Sequence, residues 1–276
     1  MNRRQMLATL GVALGGVAGC LSGDRTESPD SPGPGADDTP TPTATAADET
    51  PGLGTPEDIV VEKAVTYESL MGSGGVLAPD GRQFVVASLA ERTAEESATF
   101  TFETDDDSWS TGIPDTVGAG NASVAGHARP YLAFTVPSPL SGTDPHIRRS
   151  DGLEWPLSAD TRATLTAPAP EYELDELSVP DSVSQGESLS VTLTATNVSG
   201  TDGRFLAALY WPTRRIADDD ESHIVERTVA AGETTTASLD IDTSYTATAA
   251  GPVTLTVRGH VSAGREVRVE NVGTDS

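Results

Sequence analysis

The sequence predicts an all-β protein, two β-sandwich domains set behind a leader and an extended linker. Three observations carry this. After residue 56 the chain is built of short apolar or alternating runs, and no stretch holds a helical period. Turn residues punctuate those runs throughout. Before residue 57 the composition differs in kind, first small and apolar, then rich in Pro, Thr and Asp. The boundaries that follow are 1–19 for the leader, 20–56 for the linker, 57–168 for the first sandwich and 169–276 for the second.

In the first unit Ile59-Val60-Val61 opens the series and Gln83 to Leu89 follows. Ala98 to Glu103 sets Phe100 and Phe102 on one face. Tyr131 to Val136 comes next, and Thr161 to Thr166 reads as a closing strand. The second unit is clearer. Ser188 to Thr196 places Leu189, Val191, Leu193 and Ala195 on one face and hydroxyls on the other. Phe205 to Trp211 is almost wholly apolar, as a central strand is, with Trp211 the core tryptophan of a third strand. Ile224 to Val229 follows. Thr236 to Asp242 turns Leu239 and Ile241 inward. Val253, Leu255 and Val257 alternate, then Val267 and Val269. Turn signals at Asp181, Gln185-Gly186, Ser199-Gly200, Ala231-Gly232, Gly251-Pro252 and Gly264 separate the runs. Six or seven strands in about a hundred residues is the rhythm of an immunoglobulin-like sandwich.

The stretch from Pro180-Asp181 through Gly186-Glu187 to Asn197-Val198-Ser199-Gly200 resembles the opening of adhesion-type immunoglobulin-like domains. There a Gly-Glu turn precedes the second strand and an Asn-rich turn ends it. Pro79-Asp80-Gly81-Arg82-Gln83-Phe84, with Phe134-Thr135-Val136-Pro137 later, resembles another such module of secreted microbial lipoproteins. In both units a tight turn feeds a long strand and a tryptophan follows, Trp109 or Trp211, which reads as shared architecture. These resemblances imply a fold and name no ligand.

The leader is MNRRQMLATLGVALGGVAGC. Arg3 and Arg4 form a twin-arginine pair ahead of a weakly apolar run, Ala8 to Gly19. A spanning helix needs ~20 apolar residues, so this run fits a signal peptide and not a membrane span. Val17-Ala18-Gly19-Cys20 resembles a lipobox, in which the cysteine thiol receives a lipid and the chain is cut just before it. Together the two motifs resemble those of a twin-arginine-exported haloarchaeal lipoprotein. That resemblance implies lipidation of Cys20, the single cysteine. One cysteine also rules out any internal disulfide. Cleavage removes two arginines and no acid, which makes the mature chain more acidic by two charges.

Residues 21–56 hold almost no large apolar side chain. They cannot bury enough surface to offset ordering and are expected to be disordered, extended by proline and like charge. The Thr-Pro stretch is similar to O-glycosylated stalks.

The chain carries 42 acidic and 17 basic residues, a formal charge of −25, and Lys63 is its sole lysine. Such a surface repels phosphate backbones, which argues against a nucleic-acid partner. The composition resembles that of haloarchaeal proteins. In molar salt the Debye length is ~3 Å, and self-repulsion is largely screened.

No catalytic signature is present. His127, His146, His223 and His260 have no metal-ligand spacing and read as loop or strand-surface residues. Gly72-Ser73-Gly74-Gly75 lacks the register of a nucleophile elbow, and there is no phosphate- or dinucleotide-binding fingerprint. Asp105-Asp106-Asp107 and Asp218-Asp219-Asp220-Glu221 lack calcium-loop spacing and read as solvated acidic loops. The sites expected are therefore Cys20 for lipid, Arg3 and Arg4 for export, and the sequons at Asn121 and Asn197 for N-linked sugar. No cofactor or metal is expected.

The sequence thus points to a lipoprotein anchored on the extracellular face of the cell membrane. Its partner would be the bilayer through Cys20 together with a protein or glycan at the surface, in a binding or scaffolding role without catalysis. The alternatives from other classes are a loop-built enzyme or protease inhibitor, and an accessory subunit of a surface transporter or envelope complex.

Overall fold

The computed structural model describes residues 55–68, 74–89, 100–113, 123–124, 131–215, 220–246 and 250–272. Arg3, Arg4, Cys20, linker residues 20–54, Asn121, His127, Asp218 and Asp219 lie outside them, while Pro56, the last linker residue expected, begins a strand. The described strands run β1 (Pro56–Glu62), β2 (Val65–Glu68), β3 (Gly74–Leu77), β4 (Arg82–Leu89), β5 (Phe100–Glu103), β6 (Ser108–Ser110) and β7 (Ser123–Val124). Then come β8 (Tyr131–Pro137), β9 (His146–Arg149), β10 (Glu154–Pro156), the helix α1 (Ala159–Thr166), β11 (Tyr172–Ser178) and β12 (Ser182–Ser184). The last are β13 (Ser188–Asn197), β14 (Gly203–Pro212), β15 (Asp220–Val229), β16 (Thr234–Asp242), β17 (Gly251–Gly259) and β18 (Ala263–Glu270). The protein is mostly β, as its periodicity predicts.

Strand β13 buries every second residue from Leu189 to Asn197 and leaves its hydroxyls on the other face. Leu189, Val191, Leu193 and Ala195 meet Phe205, Ala207, Leu209 and Trp211 of β14 in one core, closed by Leu255, Val257, Val267 and Val269. That core lies between two sheets, β11-β13-β16 and β12-β18-β17-β14-β15. All neighbours in them are antiparallel except β12, which runs parallel to β18 with Val183 opposite Val269. After residue 169 two strands, β11 and β12, lie outside the runs the sequence pattern marks, as do the short β2, β3, β6, β7, β9 and β10 before it. β11 carries a bulge between Leu174 and Glu176, which breaks its alternation, and β12 has only Val183 to signal it. Trp211 therefore sits on the fourth strand after residue 169, not the third. The turn before β13 needs Gly186, whose φ of 89° suits only glycine without strain.

The earlier part of the chain forms smaller sheets, β1-β4-β8, β10-β9-β5-β6 and β3-β2-β7. β4 reads as a continuous apolar run because both its faces are covered. Val85, Ala87 and Leu89 enter a core with Phe100, Phe102, Phe134 and Ile147. Phe84 and Val86 pack with Val65 and Ile113.

Thr161 to Thr166 is not the strand its β-branched residues suggest; it belongs to α1. Ser158 caps the helix, accepting from the Thr161 N–H at 3.1 Å, and Asp160 lies in the first turn, where the helix dipole favours an acid. Thr164 and Thr166 donate back to the Asp160 and Arg162 carbonyls, which satisfies both hydroxyls inside a helix. One buried residue, Leu165, holds α1 to the core.

Residues 49–276 hold together as one unit. Around the boundary expected at residue 168, Ala64 and Val76 pack on Leu206 and Ala208 from the outer face of β14, with Tyr210 beside them. This second layer explains why β14 is apolar on both faces. The approach is close enough that a Cβ on Gly75 would collide with the Tyr210 hydroxyl.

Candidate functional site

A cleft of about 410 Å³ opens where the end of β1, the C-terminal half of α1 and the start of β14 converge. Val61, Ala64, Ala163, Ala167, Pro168 and Pro170 make its walls apolar, and Glu62, Lys63, Asp202 and Arg204 bring charge to it.

Lys63, noticed in the sequence only as the sole lysine, is the hub of one wall. Its Nζ donates to Gln83 Oε1 at 2.5 Å, to the Ala167 carbonyl at 2.7 Å and to Ser138 Oγ at 3.4 Å. Burial pushes its pKa down to about 8. The three acceptors use the three ammonium protons, so Lys63 ties the end of α1 to β4. Gln83 is fully buried and donates through Nε2 to the Pro137 and Leu165 carbonyls at 2.6 and 2.8 Å. A lysine and a glutamine thus close the polar seam beneath the helix.

Arg204 guards the other wall. Its guanidinium reaches Glu62 at 3.1 Å and Glu226 at 2.7 Å. Burial works against its charge, but the hydrogen bond to Glu226 and the charges of Glu62 and Glu226 hold its pKa above the ordinary value. The Glu62 contact joins β1 to β14 across the cleft.

Behind Arg204 lies His260, which the sequence placed on the surface. It is packed instead against Tyr172 at 4.8 Å and Phe205 at 6.0 Å. The Leu206 N–H donates to its Nδ1 at 2.9 Å, so that nitrogen is the acceptor of a neutral ring. Burial pushes its pKa down to about 4, with help from the Arg204 charge and against the Leu206 carbonyl, which lies 3.2 Å from Nδ1 and favours a proton there. Burial likewise raises the Tyr172 hydroxyl to about 12.

A pH dependence follows. A histidine titrating at 6.5 when unfolded and at about 4 when folded leaves the unfolded chain binding more protons between those values. Stability therefore falls as pH drops through that window, by roughly 2–3 kcal/mol. His260→Asn keeps an acceptor for Leu206 and carries no proton. Urea midpoints at pH 6.5 and pH 4 are expected to differ less in the variant than in the parent; identical pH slopes would show that His260 is not the group responsible.

The other expected sites fall as follows. Asn197 is fully buried. Its Nδ2 donates to the Thr201 and Val229 carbonyls at 2.8 and 3.2 Å, and its Oδ1 accepts from the Ser199 N–H and hydroxyl. A sugar on Nδ2 does not fit this arrangement; the residue staples the β13–β14 turn, and the sequon pattern arises from that turn. His146 is half-buried with Glu103 at 3.8 Å. His223 is half-buried on β15, its Nε2 out of solvent and without a hydrogen-bond partner among the described residues. Asp105, Asp106 and Asp107 form the exposed β5–β6 turn, braced by the Asp107 N–H donating to Thr104 Oγ1 at 3.1 Å. Among the described residues no group of His, Cys, Asp and Glu is placed to hold a metal ion, and no helix is long and apolar enough to cross a membrane.

No protein-family model matches the chain, and no curated protein matches it. Among solved structures, a mutant β-glucosidase from Listeria innocua in complex with laminaribiose is 21% identical with a TM-score of 0.32, over 38% of this chain and 17% of that one. The enzyme from the same organism in complex with isofagomine is 22% identical at 0.31, over 37% and 16%. A β-glucosidase from Erythrobacter marinus is 10% identical at 0.31, over 36% and 15%. The chain spans about a sixth of the length of these enzymes, and likeness at this level defines neither a fold nor an activity for it.

Proposed function

We propose that this chain is a lipoprotein held on the extracellular face of the cell membrane by a lipid on Cys20. Two immunoglobulin-like units, 57–168 and 169–276, then serve as a non-catalytic binding or scaffolding module. The observation that carries the reading is Val17-Ala18-Gly19-Cys20 behind Arg3-Arg4, followed by a long polar linker. The arrangement after residue 169 supports its fold component. Two sheets enclose Trp211, as the sheets of an immunoglobulin sandwich enclose a tryptophan. The acidic composition supports a setting of high salt, where such a surface stays hydrated and self-repulsion is screened.

The test is fractionation of cells expressing the parent or Cys20→Ser, fed a radiolabelled lipid precursor. The parent is expected in the membrane fraction with label on the protein. The variant is expected unlabelled and released. Equal membrane retention, or label on both, would overturn the anchoring.

A further inference from the structure

The five-stranded sheet ends on β15. All ten residues of β15 pair with β14, from Gly203 opposite Val229 to Pro212 opposite Asp220, with no bulge. The outer edge therefore carries a row of backbone donors and acceptors, the kind of row another strand pairs with; within it the Glu226 carbonyl accepts from the Arg227 guanidinium at 2.7 Å. Such edges are commonly blunted by proline, a bulge or charged side chains; β15 has no proline and no bulge, and its protection is charge alone, from Glu221, Glu226 and Arg227. Its side chains instead answer one another about its middle. Ile224, 41% exposed, is one of the few large apolar residues on the described surface. Glu221 lies three positions before it and Arg227 three after.

We infer that two copies of the chain join through β15, antiparallel about a two-fold axis at Ile224. In that register Ile224 meets its counterpart. His223 lies opposite Val225 and Ser222 opposite Glu226. Glu221 lies opposite Arg227, twice by symmetry, and the Arg227 guanidinium exchanges the Glu226 carbonyl for that carboxylate, which frees the carbonyl for the incoming strand. Opposite side chains of an antiparallel pair have Cβ atoms ~4.5–5.5 Å apart, close enough for the ion pair to form. Glu226 is already neutralised within its own copy by Arg204 at 2.7 Å. Neighbouring registers fit less well. A slip of two residues either way takes Glu221 from opposite Arg227 and loses both ion pairs. The contact uses the same surface on both copies and closes as a dimer, making one ten-stranded sheet from two five-stranded ones. An edge contact covers less than the ~1,600 Å² of a standard interface, so the dimer depends on concentration.

The single native cysteine makes the register testable. The full chain with Cys20→Ser and Ile224→Cys holds one thiol, at the axis. Opposite Cα atoms there are ~4.5–5.5 Å apart, inside the ~4.4–6.8 Å that a disulfide spans. Oxidation with copper-phenanthroline is expected to give a linked dimer on a non-reducing gel. Cys20→Ser with Ser222→Cys puts the thiols four residues out of register, ~14 Å apart along the strand, and is expected to stay unlinked. In sedimentation equilibrium the Arg227→Glu chain is expected to dimerise at least ten-fold more weakly than the parent, and Glu221→Arg added to it is expected to restore dimerisation. A parent that is monomeric throughout, cross-linking that is equal at both positions or absent at 224, or an Arg227→Glu chain that dimerises like the parent overturns the inference.

Discussion

Replacing Gln83 by leucine is expected to cost about 3 kcal/mol of stability, although the two side chains are similar in size. Gln83 is fully buried and makes three hydrogen bonds, accepting from Lys63 and donating to the Pro137 and Leu165 carbonyls. Leucine fills the space and satisfies none of these groups. A buried polar group left unpaired costs about 1–3 kcal/mol. The Leu165 carbonyl keeps its bond from the Leu140 N–H, so Pro137 and Lys63 bear most of the loss. The check is a urea titration in high salt, where the midpoint should fall with the slope unchanged. A loss well under 1 kcal/mol would mean that the seam beneath α1 does not depend on Gln83.

The second large effect belongs to Trp211. It is fully buried, and its Nε1 donates to Thr246 Oγ1 at 2.6 Å. Trp211→Ala opens a cavity between the two large sheets and orphans that hydroxyl, with an expected cost of about 3–5 kcal/mol. That is a large part of the 5–15 kcal/mol typical of a folded domain. Trp109, which follows the other tight turn, gives the contrast. It is half-buried at the short strand β6, tilted against Phe102 at 5.7 Å. Trp109→Ala is expected to cost clearly less, and equal losses in the two variants would contradict these roles.

The two tryptophans show how far sequence pattern reaches. Trp211 sits in a run apolar at every position from Phe205 onward, a signal that the strand is covered on both faces. The pattern does not say by what. One cover is the partner sheet with Leu189, Val191 and Leu193. The other comes from Ala64 and Val76, more than a hundred positions earlier in the chain. At α1 the local sequence carries two opposed signals. Ser158 is an N-cap and Asp160 a first-turn acid, while the three threonines Thr161, Thr164 and Thr166 suggest a strand. Asn197 is a case where a short motif had two explanations, and burial decides for the turn.

What the sequence by itself determined is the β class, the positions of its long strands, and the motifs around Cys20 on which the anchoring proposal rests. Each is written in neighbouring residues. Alternation at a period of two tells which side of a strand is apolar, and a leader is a contiguous string. The tertiary structure decided the parallel pairing of β12 with β18, the layer over the outer face of β14, and the cleft with its charges. Lys63 finds Ala167 across 104 positions and Arg204 finds Glu62 across 142. No local period encodes such partners. The chain reaches them only when packing has brought β1, α1 and β14 together, and burial then makes an unpaired charge too costly to leave.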